Sequence, residues 1–166
     1  MRVLTAIGIA GSLTMSAADV SAQLIRPVDI PEPPTKLAVE AAEAAIDACA
    51  ANGYRVAVSI VDEVGGQRVL VVGDTQSQLG GFAYRKARTA ALFAMPSGDV
   101  DAQAKTEPQL AARLAADNTF LTWAGGLPMY RAGHLLGAIG VGGAPGGDKD
   151  EACAKAGLAK IADRLK

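Results

Sequence analysis

Residues 54–62, Tyr-Arg-Val-Ala-Val-Ser-Ile-Val-Asp, form a nearly unbroken run of small and β-branched side chains. A run of this kind makes a strand whose two faces are both covered by other elements. Glu63-Val64-Gly65-Gly66 follows as a hairpin turn, and Gln67 to Val72 returns as a second strand. A tight hairpin forces antiparallel pairing. The rest of the chain must therefore supply helices for both sides of an antiparallel sheet.

It has the helices to do so. Thr35 reads as an N-cap for a helix from Lys36 to Ala51. Leu37, Ala41, Ala45 and Ala48 share one face of it, Glu40, Glu43 and Asp47 form a solvated stripe, and Asn52-Gly53 stops it. A second helix runs from about Gly81 to Phe93 and halts at Met95-Pro96. Residues 97–118 read as one or two short helices, and Phe120 to Trp123 as a short strand. Leu127 to Arg131 and His134 to Val141 make a second hairpin across Ala132-Gly133. Residues 142–147, Gly-Gly-Ala-Pro-Gly-Gly, form a loop, after which Asp148 or Asp150 caps a last helix ending at Leu165. This order predicts an α/β (α+β) domain over residues 35–166, an α/β/α sandwich around a roughly five-stranded antiparallel sheet. Tyr54–Asp62 and His134–Val141 are expected as central neighbours. The first and last helices then cover the same face. That arrangement brings Cys49 towards Cys153, either as two small buried hydrophobes or as a disulfide.

The N-terminal 34 residues have a different character. Arg2, an apolar stretch from Val3 to Met15, and the small residues Val20-Ser21-Ala22 follow one another in the order of a secretion signal cleaved before Gln23. The apolar stretch is shorter than the ~20 residues that a membrane span needs. Residues 23–34 hold Pro27, Pro31, Pro33 and Pro34 and read as an extended arm. The expected location is periplasmic or secreted, where a disulfide can persist. The net charge of −1 offers no electrostatic footprint for nucleic acid. Half of the residues are hydrophobic but only 4% are aromatic, so the core is built from Ala, Val, Leu and Ile. Each such residue buries little area, which points to a homo-oligomer.

Several chemistries are missing. With a single His and no GxSxG there is no Ser-His-Asp set, and no P-loop or CxxC occurs. The informative segment is the helix at 81–93. Phe82, Lys86, Thr89 and Phe93 fall on one face of it, flanked by Arg85 and Arg88. This stripe is either a partly buried face whose cations reach water, or a wall for a flat, apolar, anionic ligand. The glycine-rich loop at 142–147 is a connector, or an anion site at the start of the last helix. His134, at a hairpin turn, is either simply solvated or a ligand.

Three segments resemble the GlcG/HbpS-like family of haem-binding proteins, also called the haem-degrading domain family or DUF336. They are residues 56–66 (VAVSIVDEVGG), residues 82–91 (FAYRKARTAA, the family's K-A-x-T-A helix), and Gly125-Gly126-Leu127-Pro128 with residues 137–143 (GAIGVGG) and the D-x-x-x-A-x-A-G-L pattern of residues 150–158. The resemblance implies a profilin-like sheet, self-assembly into dimers or larger rings, and haem as cofactor in exported members. Carried over by motif, it points to Lys86 and Thr89. A haem site on this helix would take Phe82 and Phe93 as walls, Arg85, Lys86 or Arg88 as partners of the propionates, and Thr89 or His134 at the iron. Residues 73–81 (GDTQSQLGG) replace the R-M-D-G-A-like stretch common in the family, and Gly142-Gly143 stands where Ser-Gly is usual. The expected function is an exported haem-binding protein that sequesters or buffers haem. The alternatives are an oxidative haem-degrading enzyme, for which no flavin or nicotinamide motif is present, and an accessory protein for another small anionic metabolite.

Overall fold

The computed structural model describes residues 32–165. The expected signal, residues 1–22, and residues 23–31 of the proline-rich arm lie outside this range. Helix α1 spans Thr35–Ala50, strand β1 Ala57–Asp62 and strand β2 Gln67–Val72. Helices α2 (Leu79–Phe93), α3 (Ser97–Ala104) and α4 (Pro108–Ala116) follow, then β3 (Gly126–Arg131), β4 (His134–Gly142) and α5 (Gly147–Ile161), which ends in a 3-10 turn at Ala162–Leu165.

The sheet has four strands in the order β2-β1-β4-β3, each antiparallel to its neighbour. β1 and β4 are the central pair, with Ile60 opposite Ile139. Every residue of β1 is buried, as its two-sided composition predicts. The fifth strand expected at Phe120–Trp123 does not form. Backbone groups of that segment are taken by side chains instead. The Leu121 N–H donates to Thr89 Oγ1 at 2.9 Å, the Phe120 carbonyl accepts from Arg85 Nη2 at 2.8 Å, and the Trp123 carbonyl accepts from Ser97 Oγ at 2.7 Å. A segment whose polar groups are satisfied in this way needs no ladder.

Two expected helix caps also differ. Thr35 is the first helical residue rather than the cap, and Pro34 precedes it in an extended conformation. α5 starts at Gly147 without a side-chain cap, because Asp150 turns inward to other partners.

The helices cover both faces. α1 and α5 lie together on one side, over a core of Val56, Val58, Ile60, Met129, Ile139 and Val141, and meet each other through alanines. Cys49 and Cys153 join them as a disulfide with Cα atoms 5.5 Å apart, which decides between the two readings of these residues. α2 covers the other side over Val61 and Ala138. Its approach is unusually close. A Cβ on Gly140 of β4 would overlap the Ala83 carbonyl of α2, so only glycine admits the helix here.

The disulfide closes a loop of 104 residues. Cross-linking a loop of that size removes much of the freedom of the unfolded chain. Paired Cys49→Ala and Cys153→Ala substitutions are expected to lower stability by about 2–5 kcal/mol in denaturant titrations, and a reductant should do the same to the parent.

Candidate functional site

The polar face of α2 is largely a seat for the connector that leads into β3. Arg88 Nε donates to Thr119 Oγ1 at 3.1 Å, beside the Arg85 and Thr89 contacts to Phe120 and Leu121. Thr89 is fully buried, and its own hydroxyl proton goes to the Arg85 carbonyl at 2.8 Å. Phe93 meets Phe120 edge to face with ring centroids 5.4 Å apart. Arg113 of α4 lies over the Phe93 ring and Arg88 over the Phe120 ring. Thr89, Phe93, Arg85 and Arg88 thus hold the connector.

The N-terminal part of the same stripe opens onto a cleft of about 340 Å³. Leu79, Phe82 and Trp123 form its apolar wall, the 142–147 loop lines the opposite side, and Lys86 and Asp150 are its floor. The Phe82 and Trp123 rings are nearly parallel, 12° between planes, with centroids 6.2 Å apart. Trp123 is 62% exposed although it is the only tryptophan in the chain. A more open groove of about 690 Å³ adjoins the cleft, sharing Leu79 and Gly143 and adding Tyr54, Arg55 and Asp74.

The floor is an ion pair that links the two helical layers. Lys86 Nζ on α2 lies 2.6 Å from Asp150 Oδ2 on α5, and the two side chains are only 3% and 4% exposed. The other carboxylate oxygen of Asp150 accepts the Ala144 N–H at 2.9 Å and so fixes the glycine-rich loop. Burial pushes the Asp150 carboxyl above its ordinary pKa, against the opposing pull of the Lys86 hydrogen bond and charge and of the Ala144 and Gly143 N–H groups. The expected stripe therefore divides: Phe82 and Lys86 reach the cleft, while the other four residues face the connector. His134 is exposed at the far end of β4. Eight strand steps separate it from Gly142, about 26 Å, so it does not share the cleft. Sequence reasoning missed Trp123, assigned to a strand, and Asp150, assigned to a cap. The lone tryptophan in a chain poor in aromatics was the available signal.

No group of three or more His, Cys, Asp or Glu side chains is placed to hold a metal ion among the described residues. Tested against haem, the cleft offers the flat apolar wall that a porphyrin needs. Iron is usually held by His, Cys, Met or Tyr, and among the described residues Tyr54 in the adjoining groove is the single one of these along cleft and groove. The residues present fit the ring and its carboxylates.

An antiparallel sheet between helical layers is a recurring architecture. The family model for the haem-degrading protein HbpS-like family matches residues 34–159, and the chain belongs to this family. A crystal structure of HbpS is 32% identical, with a TM-score of 0.71 over 93% of this chain and 97% of that one. A double mutant of HbpS from Streptomyces reticuli is 31% identical, with a TM-score of 0.71 over 95% and 97% of the two chains. The PduOC:haem complex shares the fold at 23% identity, with a TM-score of 0.70 over 78% and 95%. Among curated protein sequences none matches.

Thr89→Val keeps the shape but removes both hydrogen bonds and leaves the Leu121 N–H without a partner. The expected cost is about 1–3 kcal/mol in urea titrations, with faster proteolysis of residues 117–123.

Proposed function

We propose that the protein binds haem in the cleft between α2 and the 142–147 loop. The observation that carries this reading is the parallel Phe82–Trp123 pair, an exposed aromatic wall above a buried polar floor. Exposed apolar area of this kind marks a binding surface. Family membership and the haem complex of PduOC support the same ligand. In this reading Phe82, Trp123 and Leu79 take the porphyrin face, Arg55 in the groove takes a carboxylate, and Tyr54 is the side chain of iron-ligating type. Bound haem supplies redox and ligand-exchange chemistry at iron; the chain's own residues orient it and keep water from one face.

We favour sequestering or buffering of haem over oxidative degradation, which needs a reductant, since the sequence carries no flavin or nicotinamide motif. The proposed setting is outside the cytoplasm. The expected signal at residues 1–22 and the Cys49–Cys153 disulfide, which suits an oxidising compartment, both support it. No helix among the described residues is long and apolar enough to cross a membrane. We further infer a homo-oligomer. Leu70 and Val72 project from the edge strand β2 and stay partly exposed, although Leu70 lies against Gly80 of α2.

Titrating the purified protein with haem should produce a Soret band and quench Trp123 fluorescence with a single stoichiometric end point. Phe82→Ala removes a wall worth about 1.5–3 kcal/mol and should weaken binding roughly ten- to a hundredfold. An unchanged affinity in both Phe82→Ala and Trp123→Ala would place haem elsewhere. Native mass spectrometry of exported material should give an assembly of even order built from chains that begin at Gln23.

A further inference from the structure

The floor of the cleft carries a property that its shape alone does not reveal. Lys86 has three N–H donors, and among the described residues one of them, to Asp150, has a partner. A buried ammonium with spare donors facing a cavity is a place for an acceptor oxygen. With Asp150 ionised, however, the pair is electrically neutral. A second carboxylate brought beside it would meet a like charge at close range in a poorly solvated site. With Asp150 protonated, the floor carries one uncompensated positive charge and welcomes an anion.

The groups that could blur this switch are few. Among the described residues Lys86 is the only charge acting on Asp150 at short range, and the 142–147 loop and the Gly125-Gly126 turn contribute no titratable side chain. On α5 itself, Glu151 is held by Lys155, Lys149 reaches back to the Pro145 carbonyl, and Asp148 is exposed. β4 brings Val141 and Gly142 to this end of the sheet, and Phe82 and Leu79 complete the α2 side.

We propose that the floor is a proton-gated carboxylate site: a carboxylate on a flat apolar ligand binds the free donors of Lys86 together with one proton, which neutralises Asp150. The proton comes from solvent and ends on the Asp150 carboxyl; no other bond is made or broken. Burial shifts the Asp150 carboxyl towards its protonated form, the same direction in which a ligand carboxylate beside it would push. The inference rests on the same cleft as the haem reading and adds that one haem propionate is taken up with a proton.

The test uses 2-naphthoate as probe and 2-naphthamide as its neutral counterpart, by calorimetry on the full chain. In two buffers of different ionisation enthalpy, naphthoate binding should take up close to one proton per molecule, and its affinity should fall about tenfold per pH unit above the Asp150 titration. Naphthamide should show neither effect. Asp150→Asn removes the like charge beside the ammonium, so it should bind naphthoate more tightly than the parent at pH 8 and lose the tenfold-per-unit fall that Asp150 imposes. Lys86→Met should lose naphthoate binding at least tenfold. Proton uptake near zero in the parent overturns the proposal, whether or not the variants fold, and so does weaker naphthoate binding by a folded Asp150→Asn. A parallel haem titration separates the two readings. Haem binding without proton-linked naphthoate binding removes the gate and leaves the haem site, whereas the reverse removes haem and leaves the gate.

Discussion

The Lys86–Asp150 ion pair is the constraint around which the functional end of the molecule is arranged. It joins α2, on one face of the sheet, to α5, on the other, at the end of the sheet where β4 gives way to the glycine-rich loop. Two charges taken out of water are stable only when each finds the other and its remaining bonding capacity is met. Asp150 meets this condition through the Ala144 N–H. The loop, the start of α5 and the middle of α2 are therefore held at one point. Replacing one partner alone would leave a buried charge, which is the costly way to break such a pair.

Around that point the fold uses small residues to bring backbone close to backbone. α1 and α5 meet through alanines and the disulfide, and α2 rests on a glycine of β4. Close approach compensates in part for the scarcity of large side chains, since each dispersion contact gains from short separation even where small residues make fewer of them. The few aromatics are then free for other work. Phe93 and Phe120 pin the connector, while Phe82 and Trp123 face solvent as a wall. An exposed tryptophan in a chain that has one is an unfavourable arrangement unless something covers it.

Membership of the HbpS-like family gives this wall a context, and the cleft gives the family resemblance a physical content. The K-A-x-T-A helix contributes two different things. Its Lys86 lies under the cleft, whereas its Thr89 secures the connector and has both its donor and its acceptor engaged within the fold. Motif residues that travel together in sequence thus divide between binding and scaffolding.

Much of the architecture was legible in the sequence because it rests on local rules. The β-branched run at 54–62, the two hairpin turns and the alternation of helical and extended patterns dictate an antiparallel sheet between helices, and the central pairing of β1 with β4 follows from them. The stripe on α2 was legible as unusual, but not its division into a seat and a cleft. Periodicity reports which residues share a face and not what comes to lie against it. The connector at 120–123 looked like a strand because its residues suit one. It stays irregular because Arg85, Thr89 and Ser97, distant in sequence, satisfy its backbone. Asp150 looked like a helix cap because capping is what a local Asp does best. Only the tertiary structure brings Lys86 within 2.6 Å across 64 residues, and a buried charge takes the partner that removes its desolvation cost over the one nearest in the chain.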